Sequence, residues 1–175
     1  MNKVIFLDRD GTINVDYGYV GTVDRFKFID GVIEALKILY DLGYMLIVVS
    51  NQSGVGRGFF SKDDVEKVNQ YMLNELKKDG VIISAIYYCP HIDSDNCECR
   101  KPKLKLFYDA INDYDIDINC SYAIGDKERD LAICDKENIK GILLTSDVSD
   151  KYICKKDLLE AAKYIRIERG VENEK

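Results

Sequence analysis

The sequence predicts a three-layer α/β domain, a Rossmann-like parallel sheet with helices on both faces, and three observations carry that prediction. Short β-rich runs alternate with segments of helical period along the chain, the pattern of right-handed βαβ crossovers. The runs VIFLD (4–8) and YMLIVVS (44–50) are almost continuously apolar, as strands covered on both faces must be. No Pro/Gly/Ser-rich linker, repeat or low-complexity segment divides the 175 residues, so one domain over 1–175 is expected.

Each element has its own signal. VIFLD ends in an acid and reads as the central strand. Asp30 is the expected cap of a helix in which Val32, Ile33, Leu36 and Leu39 repeat at helical spacing and Gly43 closes the run. YMLIVVS is the second strand and runs into Ser-Asn-Gln-Ser-Gly. Residues 62–79 read as a helix capped by Ser61 and stopped by Gly80. ISAIYYC (83–89) is a third strand, KLFYDAINDY (105–114) a helix, SYAIG (121–125) a fourth strand and ERDLAICDKE (128–137) a short helix. GILLT (141–145) is a fifth strand, and 155–169 a closing amphipathic helix before a charged tail, 170–175, expected to fray.

Charge narrows the classes of partner. A net charge of −6 without any long basic run argues against general electrostatic attraction to nucleic acid or anionic membrane. An anionic ligand therefore needs a local cluster of cations. The N-terminal apolar run is broken after five residues, too short for a signal peptide, and no later stretch nears the roughly 18 apolar residues of a membrane span. A cytoplasmic protein is expected, with its six cysteines as reduced thiols or metal ligands rather than disulfides. Cys120, Cys134 and Cys154 stand singly and read as inert thiols.

Ligands of such sheets bind outside the carboxyl ends of the strands, and there the sequence is coherent. The first strand delivers Asp8-Arg9-Asp10-Gly11-Thr12, the second Ser50-Asn51, the third a cysteine loop followed by Arg100-Lys101, and the fourth Gly125-Asp126-Lys127 with Asp130 close behind. Singly, each has a plain reading: an Asp after a strand is usually a turn or helix cap, and a Lys is usually solvated. Jointly they are what phosphoryl transfer needs. Asp8 and Asp126 are hard oxygen ligands suited to Mg²⁺. Beside such a cation Asp8 can attack an anionic phosphate and form an aspartyl-phosphate. Asp10 can protonate the leaving oxygen and then deprotonate water. Ser50 and the backbone N–H groups of the Asp10–Thr12 turn can hold phosphoryl oxygens, with Lys101 neutralising charge that develops there. A phospho-accepting signalling receiver shares the Asp, Ser/Thr and Lys, but it needs neither Asp10 nor the cysteine loop.

That loop, CPHIDSDNCECRKP (89–102), contains the single histidine, both prolines and three of the cysteines. Structural zinc on Cys89, His91, Cys97 and Cys99 would be a closed four-ligand N/S site. Redox chemistry fits less well, because the loop has C-x-C and no C-x-x-C, and chance burial of thiols suits the polar DSDNCE poorly.

The four strand-end motifs, DRDGT, Ser50, Lys101 and GDKERD, resemble those of the haloacid dehalogenase superfamily of phosphatases and span residues 8–130 in the family's order. Within it, DRDGTINVDYGYV, FIDGV, SNQSGVGRG, YYCPH and CRKP are similar to the heptose-bisphosphate phosphatase family, whose near relatives are histidinol-phosphate phosphatases. The resemblance implies a phosphatase acting on a small phosphorylated sugar, monomeric, without a large cap domain and with a zinc-stapled loop. It implies Mg²⁺ held by Asp8, Asp126 and the main-chain carbonyl of Asp10, and substrate contacts from Asn51, Arg100 and Lys127. Loops around 14–25, 51–60 and 89–102 would shape specificity. The chain departs from the pattern at Ile92, where a second histidine is usual, and in RKPKLKLF, where the family often continues RKP-x-PGM.

Overall fold

A computed structural model of the chain describes residues 1–170. Six parallel strands form one sheet in the order β3-β2-β1-β4-β5-β6: β1 Val4–Leu7, β2 Met45–Asn51, β3 Ile83–Cys89, β4 Tyr122–Gly125, β5 Lys140–Leu144 and β6 Ile153–Lys155. Four α-helices connect and cover it: α1 Val32–Asp41, α2 Lys62–Lys78, α3 Lys105–Tyr114 and α4 Leu158–Glu168.

Strand alternation builds the two cores. In β1, Ile5 and Leu7 face the cluster filled by Val32, Leu36 and Leu39 of α1, Met72 and Leu76 of α2, and Leu158 and Ile165 of α4. Val4 and Phe6 face the opposite cluster, with Leu106, Phe107 and Ala110 of α3 and with Leu131 and Ile133. Phe6 meets Phe107 edge-on at 5.3 Å between centroids. Both faces are covered, which is why the strand runs are apolar throughout. The three-layer architecture is the predicted one, and among the described residues no large inserted domain stands over the strand ends.

Four local expectations are corrected. Gly31, with φ 82°, occupies the N-cap of α1 and no side chain caps that helix, so Asp30 does not play that part. The segment 128–137 is not an α-helix but a 3₁₀ stretch, Glu128–Asp135, tied back to its strand because Asp130 accepts from the Lys127 N–H at 3.0 Å. Residues 153–155, too short to show a period, form a sixth strand beside β5. Helix α4 accordingly starts later than expected, at Leu158, because the Asp157 side chain caps it by accepting from the Glu160 N–H. Ser61 caps α2 as expected, in a reciprocal box with Asp64. The tail expected to fray lies, beyond Gly170, outside the described residues.

Candidate active site

β1 lies between β2 and β4, and the chain reverses its direction across the sheet at β1, which opens a crevice at the carboxyl ends of β1 and β4. Asp8 follows the last residue of β1 and Asp126 the last of β4. Carboxylate oxygens of Asp8, Asp126 and Asp130 lie within 4.8 Å of one another. Behind them is Lys101, whose side chain is 1% exposed. Its Nζ donates to Asp8 Oδ1 at 3.1 Å, Asp130 Oδ1 at 2.7 Å and the Val49 carbonyl at 2.6 Å. All three protons of the ammonium thus have acceptors.

Burial pushes the Asp8 carboxyl up to about 7; the Lys101 ammonium opposes the rise, and the charges of Asp130 and Asp10 add to it. Burial likewise raises Asp126, with Asp130 adding to it. Asp126 Oδ1 is buried and has no hydrogen-bond partner among the described residues. A hard cation would supply that missing partner and favour the charged form of both carboxyls, so the donor set fits Mg²⁺. Both oxygens of Asp130 are already engaged, one by Lys101 and one by the Lys127 N–H. Asp130 therefore anchors Lys101, leaving Asp8 and Asp126 for the cation. Gly11 gives this arrangement its room: its φ is +86°, and a Cβ there would come within 2.3 Å of Asp126 Oδ2.

Asp10 is held apart from those carboxylates. Its oxygens accept from Asn14 Nδ2 at 2.7 Å, Gln52 Nε2 at 3.0 Å and the Arg9 guanidinium at 3.1 Å. Arg9 is fully buried and also donates to Asn69 Oδ1 and the Val20 carbonyl. Arg9, Asn14, Gln52 and the anchoring role of Asp130 were not predicted from sequence. Arg9 looks like a spacer between two acids, and a strand-end turn in which Arg9 folds inward has no periodic signature.

The other predicted residues divide into two groups. Asp8, Asp10, Asn51, Arg100, Lys101, Asp126 and Lys127 line one cavity of about 330 Å³. Gly11, Thr12 and Ser50 do not line it, and Ser50 Oγ accepts from Gln52 Nε2 at 2.7 Å. Asn51 grips the peptide of Lys101 from both sides, accepting from its N–H at 2.9 Å and donating to its carbonyl at 3.1 Å. Its amide thus fixes Lys101. Arg100 Nε bonds Asp93 at 2.5 Å, and Lys127 reaches to 3.8 Å from Asp126.

β3 ends in Cys89, and the loop that follows folds back so that ligand atoms of Cys89, His91, Cys97 and Cys99 also lie within 4.8 Å of one another. His91 Nδ1 faces the sulfurs of Cys89 at 3.3 Å and Cys99 at 3.2 Å. Against the upward push of burial, the Arg100 N–H, then the Cys89 thiol and the Cys99 N–H, bring the Cys97 thiol down to about 6. The lowering favours the thiolate, the form in which a cysteine binds a metal. The cluster is compatible with a metal site.

A parallel sheet carrying two carboxylates on its central strand end, a third on the neighbouring strand and a buried lysine between them defines a phosphatase of the haloacid dehalogenase class. More particularly, residues 3–140 match the sequence profile of the polynucleotide kinase 3 phosphatase family, and the chain belongs to that family. It is 50% identical over 137 residues to the D-glycero-beta-D-manno-heptose-1,7-bisphosphate 7-phosphatase of Haemophilus influenzae, covering 75% of this chain and 74% of the relative. The Helicobacter pylori enzyme of the same name is 42% identical over 144 residues, with 82% and 83% covered. A crystal structure of the D,D-heptose 1,7-bisphosphate phosphatase of B. bronchiseptica, complexed with magnesium and phosphate, superposes with a TM-score of 0.86 at 28% identity, over 95% of this chain and 99% of that one.

Proposed function

We propose that this enzyme removes the 7-phosphate of D-glycero-β-D-manno-heptose 1,7-bisphosphate, serving the biosynthesis of nucleotide-activated heptose. The observation that carries the reading is the Asp8–Lys101–Asp126 constellation in a chain half identical to an enzyme of that name. Asp8 Oδ2, which has no hydrogen-bond partner among the described residues, is the nucleophile, while Lys101 holds Oδ1. Oδ2 forms a bond to phosphorus as the bond from phosphorus to the C7 oxygen breaks, and Asp10 gives that oxygen its proton. Asp10 then takes a proton from water, the water oxygen bonds to phosphorus, and the Asp8–phosphate bond breaks to release inorganic phosphate. Arg9, Asn14 and Gln52 keep the Asp10 carboxyl aimed through both transfers. Mg²⁺, held by Asp8, Asp126 and the Asp10 carbonyl, neutralises phosphoryl charge when bound. Gly11, Thr12 and Ser50 border the phosphoryl site, and Asn51, Arg100 and Lys127 position or meet its charges. Among the described residues no helix is long and apolar enough to cross a membrane, and the net charge of −6 accords with a small-molecule substrate bound by a local cluster of cations, in a protein we read as a cytoplasmic monomer.

The test is phosphate release from both anomers of the heptose bisphosphate and from histidinol phosphate, with Mg²⁺ present. The β anomer of the heptose bisphosphate should turn over fastest; preference for histidinol phosphate would overturn the reading.

Cation binding should depend on pH. Proton and cation compete for Asp8, whose carboxyl lies near 7 without metal. Apparent Mg²⁺ affinity should therefore fall as pH drops below about 7, by up to about tenfold per unit, and level off above it. Calorimetry in buffers of different ionisation enthalpy should detect proton release on binding at pH 6.5 and little at pH 8.5.

For the cysteine cluster we propose structural Zn²⁺ on Cys89, His91, Cys97 and Cys99, fixing the chain that leads directly into Arg100 and Lys101. Cys99→Ala should lose bound zinc by elemental analysis and lower kcat/KM by about 10²-fold through a misplaced Lys101. Full turnover in the zinc-free variant would show that the staple does not position the lysine.

A further inference from the structure

Helix α2 buries Val65, Val68, Met72 and Leu76 at helical spacing, and with them one polar side chain, Asn69, which is 7% exposed. Asparagine is a poor helix former, and its amide is costly on an apolar face unless a hydrogen bond offsets its desolvation. Here that bond comes from Arg9, whose Nη1 donates to Asn69 Oδ1 at 3.0 Å across 60 residues of chain. It is the one hydrogen bond of this side chain among the described residues, and Asn69 does not line the active-site cavity. Any part Asn69 plays in the reaction is therefore played through Arg9.

Arg9 is fully buried, and Asp10, at 3.1 Å, is its one carboxylate partner among the described residues. The edge formed by Nε and Nη2 faces Asp10, with Nε 3.3 Å from Oδ1 and Nη2 3.1 Å from Oδ1 and 3.3 Å from Oδ2. Nη2 also donates to the Val20 carbonyl at 2.8 Å and to Gln52 Oε1 at 3.3 Å. Nη1 lies outside that edge, and its acceptor among the described residues is Asn69. A guanidinium is planar and rigid, so an acceptor that fixes Nη1 also fixes the direction of the Nε–Nη2 edge. Without Asn69 a buried N–H loses its acceptor, and a group out of reach of water regains one only by turning. Turning takes the facing edge off Asp10.

Resting on the phosphatase reading above, we infer that Asn69 is a positioning residue for the Asp10 proton transfers, holding Arg9 in the orientation that aims the Asp10 carboxyl at the leaving oxygen. In the first transfer the bond from phosphorus to the sugar oxygen breaks with its electron pair left on that oxygen. The oxygen takes the Asp10 proton as the bond from Asp8 to phosphorus forms. A primary alkoxide departs only with that proton, whereas 4-nitrophenolate spreads its charge over the ring and departs without it. A misaimed Asp10 should therefore be felt according to the leaving group. A loosened fold or a disturbed phosphate site would harm both kinds of substrate alike.

The test measures the first transfer alone, as release of the leaving group in single turnovers with enzyme in saturating excess and Mg²⁺ present, on heptose 1,7-bisphosphate and on p-nitrophenyl phosphate. Asn69→Leu keeps the size of the side chain and suits the apolar face of α2. It should slow the step about 10- to 30-fold on the bisphosphate and less than about 3-fold on the aryl phosphate, with half-saturating concentrations little changed. Asn69→Asp keeps an acceptor oxygen in place and should stay within about 3-fold of wild type on both. Equal losses on the two compounds in Asn69→Leu, no loss on either, or a loss in Asn69→Asp as large as in Asn69→Leu would overturn the assignment. Asp10→Asn separates this inference from the reading beneath it, and should lower the bisphosphate rate at least about 10²-fold and the aryl phosphate rate far less. If Asp10→Asn shows that contrast and Asn69→Leu does not, the inference alone fails. If Asp10→Asn shows no contrast, Asp10 is not the acid and both fail.

Discussion

Asp8→Asn should abolish turnover, lowering kcat by at least about 10⁴-fold, while leaving the fold and the cysteine–histidine cluster intact. The amide has the carboxylate's shape but cannot form an acyl-phosphate by displacement. The fold survives because Lys101 keeps Asp130 and the Val49 carbonyl as acceptors. Stability should change in a direction set by pH. In the metal-free protein the Asp8 carboxyl sits near 7, above its unfolded value of 3.8. Between those values the folded chain holds a proton that the unfolded chain has released, so this group makes stability fall as pH rises. Asn carries no such proton, and the variant should gain on metal-free wild type in melting temperature between pH 4 and pH 8. Phosphate release and thermal melts at the two pH values check both halves. Measurable steady-state turnover at a tenth of the wild-type rate would exclude Asp8 as nucleophile.

Lys101→Met should be damaging in two ways. It removes the cation shared by Asp8 and Asp130, whose side chains are 12% and 2% exposed. Breaking a buried pair from one side costs about 3–5 kcal/mol, because the charges left behind remain desolvated. The cost should be largest above pH 7 and shrink toward pH 5, since without Lys101 the carboxyls protonate more readily and their charge disappears. Catalysis should fall by about 10²–10³-fold from loss of a fixed positive charge beside the transferring phosphoryl group. Urea melts at pH 5 and pH 8, together with kcat for the folded fraction, separate the two effects. A variant as stable as wild type at pH 8 would mean that the buried carboxylates are not both charged there.

The pairing at Lys101 also marks where local pattern stops being informative. Its partners are 93 and 29 residues away in the chain, and no spacing rule links them. The sequence located each residue individually, because a parallel sheet brings every strand's carboxyl end to one edge and each such end is an apolar run giving way to polar residues. It did not reveal which residues touch. Asn51, expected at the substrate, grips the Lys101 peptide, and Ser50 stands behind Gln52. Arg9, between two acids, turns inward because the Asp10 carboxylate, Asn69 and the Val20 carbonyl offer it acceptors in the interior. The last strand, β6, is three residues long and gains its place only by pairing with β5.

What the sequence determined by itself is therefore what short-range physics writes into it: the apolar strands, the helices capped by Ser61 and stopped by Gly43 and Gly80, the acids at the ends of β1 and β4, and four closely spaced Cys and His residues. What the tertiary structure decided is the pairing of those groups and their electrostatics. Lys101 is charged against two carboxylates, and Asp130 supports the lysine instead of offering a free oxygen. The physical reason is that periodicity and capping depend on neighbours a few residues apart, whereas desolvation and ion pairing depend on strand order, which brings distant residues to one edge of the sheet.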